Sequence, residues 1–203
     1  MNFRVLTWIA IFLLVLTWSA IEPADRLTWW MEVIPAILGL GILLVTRQRF
    51  PLTGLVYFLI LMHAIILMVG GHYTYAEVPI GDWLSGLTGG ERNNYDKLGH
   101  LAQGFVPVMI AREIMIRNSV VAVRGWLTFL LLCIVLALSA FYELIEWWAA
   151  LLSEEAADAF LGTQGYVWDT QSDMLWALSG AVLALLTLSG WQDRQISSIT
   201  STR

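Results

Sequence analysis

Glu143 and Glu146 stand three residues apart near the end of a long apolar run, so a helix carries both on one face. That end of a helix disfavours negative charge, and acids there need protons or cations beside them. Arg92, Lys97 and His100 are the candidate partners. Asp96, His100 and Gln103 are spaced i, i+4, i+7, which puts them on a single helix face as well. Asp169 and Asp173 repeat the i, i+4 spacing at the start of the last apolar run, and Ser139 shares the face of Glu143. An aspartate at a helix start satisfies orphan N–H groups, so Asp96 and Asp169 have a capping role open to them. His100 and Asp173 lie a turn inside, where capping does not apply. Carboxylates with one imidazole can exchange protons or serve general acid–base steps. They also suit a hard or borderline divalent ion. Glu-x-x-Glu with a lone histidine is no metal fingerprint, so no metal ligand is assigned, and the spacing specifies neither a catalytic residue nor a cofactor. Serine chemistry has little support: Ser85 and Ser179 each precede a glycine, but neither lies in G-x-S-x-G.

The elements that must position these residues follow from composition. Of 203 residues, 58% are hydrophobic and only 13% charged. A soluble domain is nearer 45–50% apolar and about 25% charged. Disorder is excluded by this hydrophobicity, a disulfide scaffold by the single Cys133, and nucleic-acid binding by a net charge of −5 without a basic patch. An integral membrane protein remains. A membrane helix needs roughly 20 mostly apolar residues. Six runs qualify, at about 5–21, 29–46, 52–70, 98–116, 126–148 and 173–190. They are continuous rather than alternating, which excludes a membrane β-barrel. The expectation is an all-α, polytopic transmembrane helix bundle of six spans, forming a single integral membrane domain over 1–203.

Basic residues set the orientation. Arg4, Arg47, Arg49, Arg112, Arg117, Arg124, Arg194 and Arg203 fall on one side of such a bundle; Arg26, Arg92 and Lys97 fall on the other. Eight against three puts both termini in the cytoplasm. The first run is longer than a signal-peptide core and reads as an uncleaved anchor. The third connection is long, and Ile80–Leu87 within it suits a short interfacial or re-entrant piece. Residues 191–203 read as a cytoplasmic tail, disordered from Ser197 onward. His63 reads as a hydrogen bond across a helix pair, Arg112 as a side chain snorkelling to the inner head groups, and Cys133 as packing. In this orientation the three polar clusters lie near the outer ends of spans four, five and six. The economical expectation is one shared polar pocket containing Arg92, Asp96, Lys97, His100, Gln103, Glu143, Glu146, Asp169 and Asp173.

Three blocks in order resemble the YjdF-like bacterial inner-membrane proteins. They are Arg92 to Phe105 (RNNYDKLGHLAQGF), Phe141 to Trp147 (FYELIEW) and Gly162 to Met174 (GTQGYVWDTQSDM). The resemblance implies a multi-pass protein of the bacterial inner membrane and brings no assigned activity. A more distant similarity is to the VanZ-like membrane proteins, linked to glycopeptide tolerance. Asp96, Lys97 and His100 match their first element, Tyr142-Glu143 the second, and Asp173 with Gly180 the third. Ala177 stands where that pattern has Asn, and Glu146 or Trp147 where it has Gln, so shared chemistry does not follow. The functional expectation is an envelope protein that binds an amphiphile, such as a lipid, or a protein partner through the outer pocket. The alternatives are a membrane-embedded enzyme on a lipid or lipid-linked substrate, using Glu143, Glu146, Asp173 and His100, or a small transporter. A transport path should be polar through the bilayer, whereas these residues gather at one depth.

Overall fold

Long apolar runs without a strand-like alternation fold as helices, because in lipid only a helix satisfies its own backbone. The computed structural model describes residues 3–81, 83, 93–151 and 167–201. These form α1 Phe3–Ser19, α2 Arg26–Thr46, α3 Gly54–Tyr73, a 3-10 turn Tyr75–Glu77, α4 Tyr95–Arg117, α5 Arg124–Ala150 and α6 Asp169–Ser201, with no strand among the described residues. Four stretches are long and apolar enough to cross a membrane: α2, α3, Gly125–Ala150 of α5, and α6. The apolar α1 is shorter, at 17 residues. α4 has the length, at 23 residues, but carries Asp96, Lys97, Arg112, Glu113 and Arg117. Of the expected Ile80–Leu87 piece, Ile80, Gly81 and Trp83 are helical and the rest lies outside the described residues.

Residue contacts divide the chain into two compact units. The first takes Met1–Pro51 and Ile60–Gly99. Its core is Phe12 of α1, Trp29, Val33 and Ala36 of α2, and Leu61, Ala64 and Met68 of α3. Asp25 caps α2 by accepting from the Thr28 N–H at 2.6 Å. The turn before it is tied to the end of α3: the Ala24 N–H donates to His72 O at 2.9 Å, and His72 Nδ1 lies 3.2 Å from Ser19 O. The indole of Trp29 donates to the buried Ser19 hydroxyl at 3.1 Å. His63 is half-buried among apolar helix neighbours and makes no side-chain hydrogen bond among the described residues, contrary to the expected cross-helix bond.

The second unit takes Leu52–Leu59 and His100–Arg203. α4 ends in a turn of Schellman type: Val120 N–H reaches Met115 O, Ser119 N–H reaches Ile116 O, and Ser119 takes φ 52°. Two sequence expectations are corrected here. Arg112 does not snorkel; it is 8% exposed, donating to Gln192 Oε1 at 2.8 Å and to Asp193 Oδ1 at 2.7 Å. For the same reason the chain does not leave its helix near Gly190. Gln192 also donates to Met109 O, Gln195 accepts from the Leu55 N–H, and Ile196 is buried, so α6 stays packed as far as Ile196 and is helical to Ser201. Cys133 is exposed on α5 rather than packed inside.

Candidate functional site

Two glycines place the site. A Cβ on Gly104 of α4 would run into the Ala177 carbonyl of α6, and one on Gly180 of α6 into the Leu101 carbonyl of α4. The helices therefore touch backbone to backbone, as small residues allow in membrane proteins. Ala177, Ala181 and Ala184, all at 0% exposure, continue the contact stripe along α6. This approach brings the His100 turn of α4 within side-chain reach of the first turns of α6.

His100 lies at the centre of what results. Its Nδ1 is 2.9 Å from Gln103 Oε1 and 4.0 Å from Glu143 Oε1, while its Nε2 is 3.9 Å from Asp173 Oδ2. His100, Glu143 and Asp173 are 5%, 9% and 4% exposed. The Tyr142 ring stands edge-on to the imidazole, with centroids 6.4 Å apart. Ser139, one turn before Glu143 on α5, is fully buried, and its hydroxyl has no hydrogen-bond partner among the described residues. A histidine flanked by two buried carboxylates is a place for a proton or a cation, since burying charge is costly unless it is paired.

The other expected pocket residues stand as follows. Asp169 is the first residue of α6, one turn before Asp173, and is buried. Glu146 is half-buried on α5, three residues past Glu143. Asp96 and Lys97 are half-buried in the first turn of α4 and belong to the first unit. Arg92 lies outside the described residues.

The spacing argument missed a second buried polar layer, toward the other end of α4. Glu113, at 0% exposure, accepts from the Thr53 N–H at 2.9 Å, the Thr53 hydroxyl at 2.7 Å and Arg117 at 2.8 Å. Thr53 Oγ1 in turn accepts from the Val56 N–H, capping α3. Arg112 with Gln192 and Asp193 completes the layer. Three charges at 112, 113 and 117 in one span were the available signal. Between the layers the unit is apolar: Val106, Val108, Met109, Leu131, Val135 and the α6 alanines. Along α4, His100 and Arg112 are about 18 Å apart at 1.5 Å per residue.

The chain is similar to a named relative, the inner membrane protein YjdF of Escherichia coli (strain K12). The two are 54% identical over 183 residues, covering 90% of this chain and 88% of the relative. No solved structure matches the chain. A family pattern described as "Predicted membrane protein (DUF2238)" matches residues 4–194, nearly the whole length. The chain belongs to that family of membrane proteins.

Proposed function

We propose that this protein is a six-span protein of the bacterial inner membrane with both termini in the cytoplasm. Its site around His100 binds the polar head of a lipid or similar amphiphile from the periplasmic side. The inner-membrane location is carried over from the relative's name and the family. The eight-to-three distribution of basic residues supports the topology. With that orientation the His100 site lies outward, and the layer of Arg112, Glu113 and Arg117 lies at the cytoplasmic face.

One observation carries the binding reading: His100 is buried between Glu143 and Asp173 at 4.0 Å and 3.9 Å, with the hydroxyl of Ser139 a turn away from Glu143. Head groups that offer an ammonium, a hydroxyl or a metal-linked phosphate match that set, and the apolar α5 and α6 surfaces beside it suit acyl chains. Exposed Phe141, Leu144, Trp147 and Trp148 on α5, with Leu175 and Trp176 on α6, are such surfaces. The apolar core between the two polar layers speaks against a conducting path.

The topology is checked by fusing a cytoplasm-only fluorescent reporter and a periplasm-only phosphatase to Arg203 in separate strains. Fluorescence without phosphatase activity is expected; the reverse pattern refutes the six-span arrangement. The binding reading is checked by native mass spectrometry of protein released from nanodiscs of phosphatidylethanolamine and phosphatidylglycerol. The wild type should retain a lipid adduct. His100→Ala and Glu143→Gln should weaken it at least roughly tenfold, the worth of one hydrogen bond to a charged group. Equal retention by wild type and variants removes the head-group role.

A further inference from the structure

The geometry around His100 also indicates a ligand class. The Gln103 side-chain oxygen can only accept, so its 2.9 Å contact with His100 Nδ1 puts the imidazole proton on Nδ1. The Glu143 carboxylate, 4.0 Å from the same nitrogen, favours that tautomer. Nε2 then carries the lone pair, and Asp173 Oδ2 lies 3.9 Å from it. That separation of 3.9 Å is beyond hydrogen-bond reach. The same separation suits two donors on one ion: at about 2.0–2.2 Å from the metal, two ligand atoms lie at most about 4.4 Å apart.

The surroundings follow the pattern of a metal-bound histidine. Such a histidine gives its other ring N–H to a carbonyl or a carboxylate, which locks the tautomer and strengthens the ligand. Here Gln103 supplies the carbonyl, and the Glu143 carboxylate stands 4.0 Å from the same nitrogen. The buried Ser139 hydroxyl, without a partner among the described residues, is a further polar group one turn from Glu143. An imidazole nitrogen with carboxylate oxygens suits a divalent first-row ion of the manganese or zinc kind. No linear fingerprint marks the set, because its members come from two helices 73 positions apart, His100 and Asp173.

We propose that His100 Nε2 and Asp173 bind one divalent first-row metal ion, with Gln103 and Glu143 holding the imidazole from behind. This rests on the same site as the head-group reading and deepens it. The ion is the group that a phosphate or hydroxyl of the amphiphile contacts.

The test uses the full chain in nanodiscs of the same two lipids, dialysed against Mn²⁺ or Zn²⁺ and then against metal-free buffer. Native mass spectrometry weighs metal and lipid adducts separately. One retained ion per chain is expected in the wild type, and none in His100→Ala or Asp173→Asn. In Gln103→Ala the affinity should fall about 10–100-fold, the usual effect of removing an outer-shell partner. If the ligand variants do not fold, the wild type alone decides. The Mn²⁺-loaded protein should show nitrogen coupling from one imidazole by pulsed electron paramagnetic resonance. No retained ion in folded wild type, or Mn²⁺ bound without imidazole coupling, overturns the proposal. A lipid adduct that persists without any metal leaves the head-group reading standing and removes only the ion. Metal retention with no lipid adduct does the opposite.

Discussion

Glu113→Ala is expected to destabilise the protein by about 3–5 kcal/mol, the cost of breaking a buried ion pair from one side. The carboxylate is fully buried and receives three hydrogen bonds, two from Thr53 and one from Arg117. Removing it takes the buried carboxylate away from the Arg117 guanidinium, 5% exposed, and strands a backbone N–H and a hydroxyl at the start of α3. Each buried group left unmade costs about 1–3 kcal/mol. Thr53→Ala removes only the hydroxyl, and with it the cap on Val56, so about 1–2 kcal/mol is expected. Unfolding in mixed micelles, followed by helical circular dichroism, measures both. A Glu113→Ala cost below that of Thr53→Ala would show that the cluster is not the clamp described here. Combining Glu113→Ala with Arg117→Met should recover part of the loss, since the buried positive charge that Glu113 neutralises is then gone as well.

The clamp shows where sequence reading runs out. Continuous apolar runs announced the helices, because burial of a backbone in lipid leaves little else to form, and the expected spans overlap α1 to α6. The helix runs on to Ser201 where disorder from Ser197 was expected, since Gln192, Asp193 and Gln195 look like ordinary polar residues of a tail. What keeps them helical is Arg112, about eighty positions earlier, and the free N–H of Leu55. Neither partner is local, so no window of sequence contains the reason. Arg112 was misread by the same logic: alone, a long cation near a span end snorkels, but next to Gln192 and Asp193 it has better acceptors.

The candidate site was legible to a different degree. Spacing alone put His100 with Gln103 on one face, and Asp169 with Asp173 on another. It could not say which faces meet, because that depends on where two helices approach most closely. Gly180 was visible as part of the Asp173 stripe, but the partner it needs is the backbone at Leu101, and Gly104 is its counterpart across the crossing. The one-dimensional pattern also weighted Glu143 and Glu146 alike. In the fold Glu143 lies 4.0 Å from His100 and is buried, whereas Glu146 is half-buried one turn further.

That crossing leads to the other large expected effect. Gly104→Leu should both destabilise the fold and dissolve the His100 site, even though residue 104 carries no chemistry. A Cβ there meets the Ala177 carbonyl, carbonyl carbon and Cα, all backbone, so no side chain can swing aside to make room. The helices must separate, and with them His100 and Asp173, now 3.9 Å apart. Overpacking of this kind costs about 1–3 kcal/mol, and the upper end applies where the obstacle is backbone. Gly180→Leu should act alike, through the Leu101 carbonyl and the Phe105 N–H. A matched control is Gly190→Leu on the same α6, where an added Cβ meets nothing within 4 Å. The control should stay near wild type and gain slightly in helix propensity. The decisive measurement is a distance between spin labels on the exposed positions Ile114 of α4 and Leu186 of α6, read in nanodiscs for wild type, Gly104→Leu and Gly190→Leu. Broadening or lengthening is expected in Gly104→Leu alone. An unchanged distance and stability there would mean that the α4–α6 contact is looser than the glycines imply, and His100 and Asp173 would no longer be held together by it.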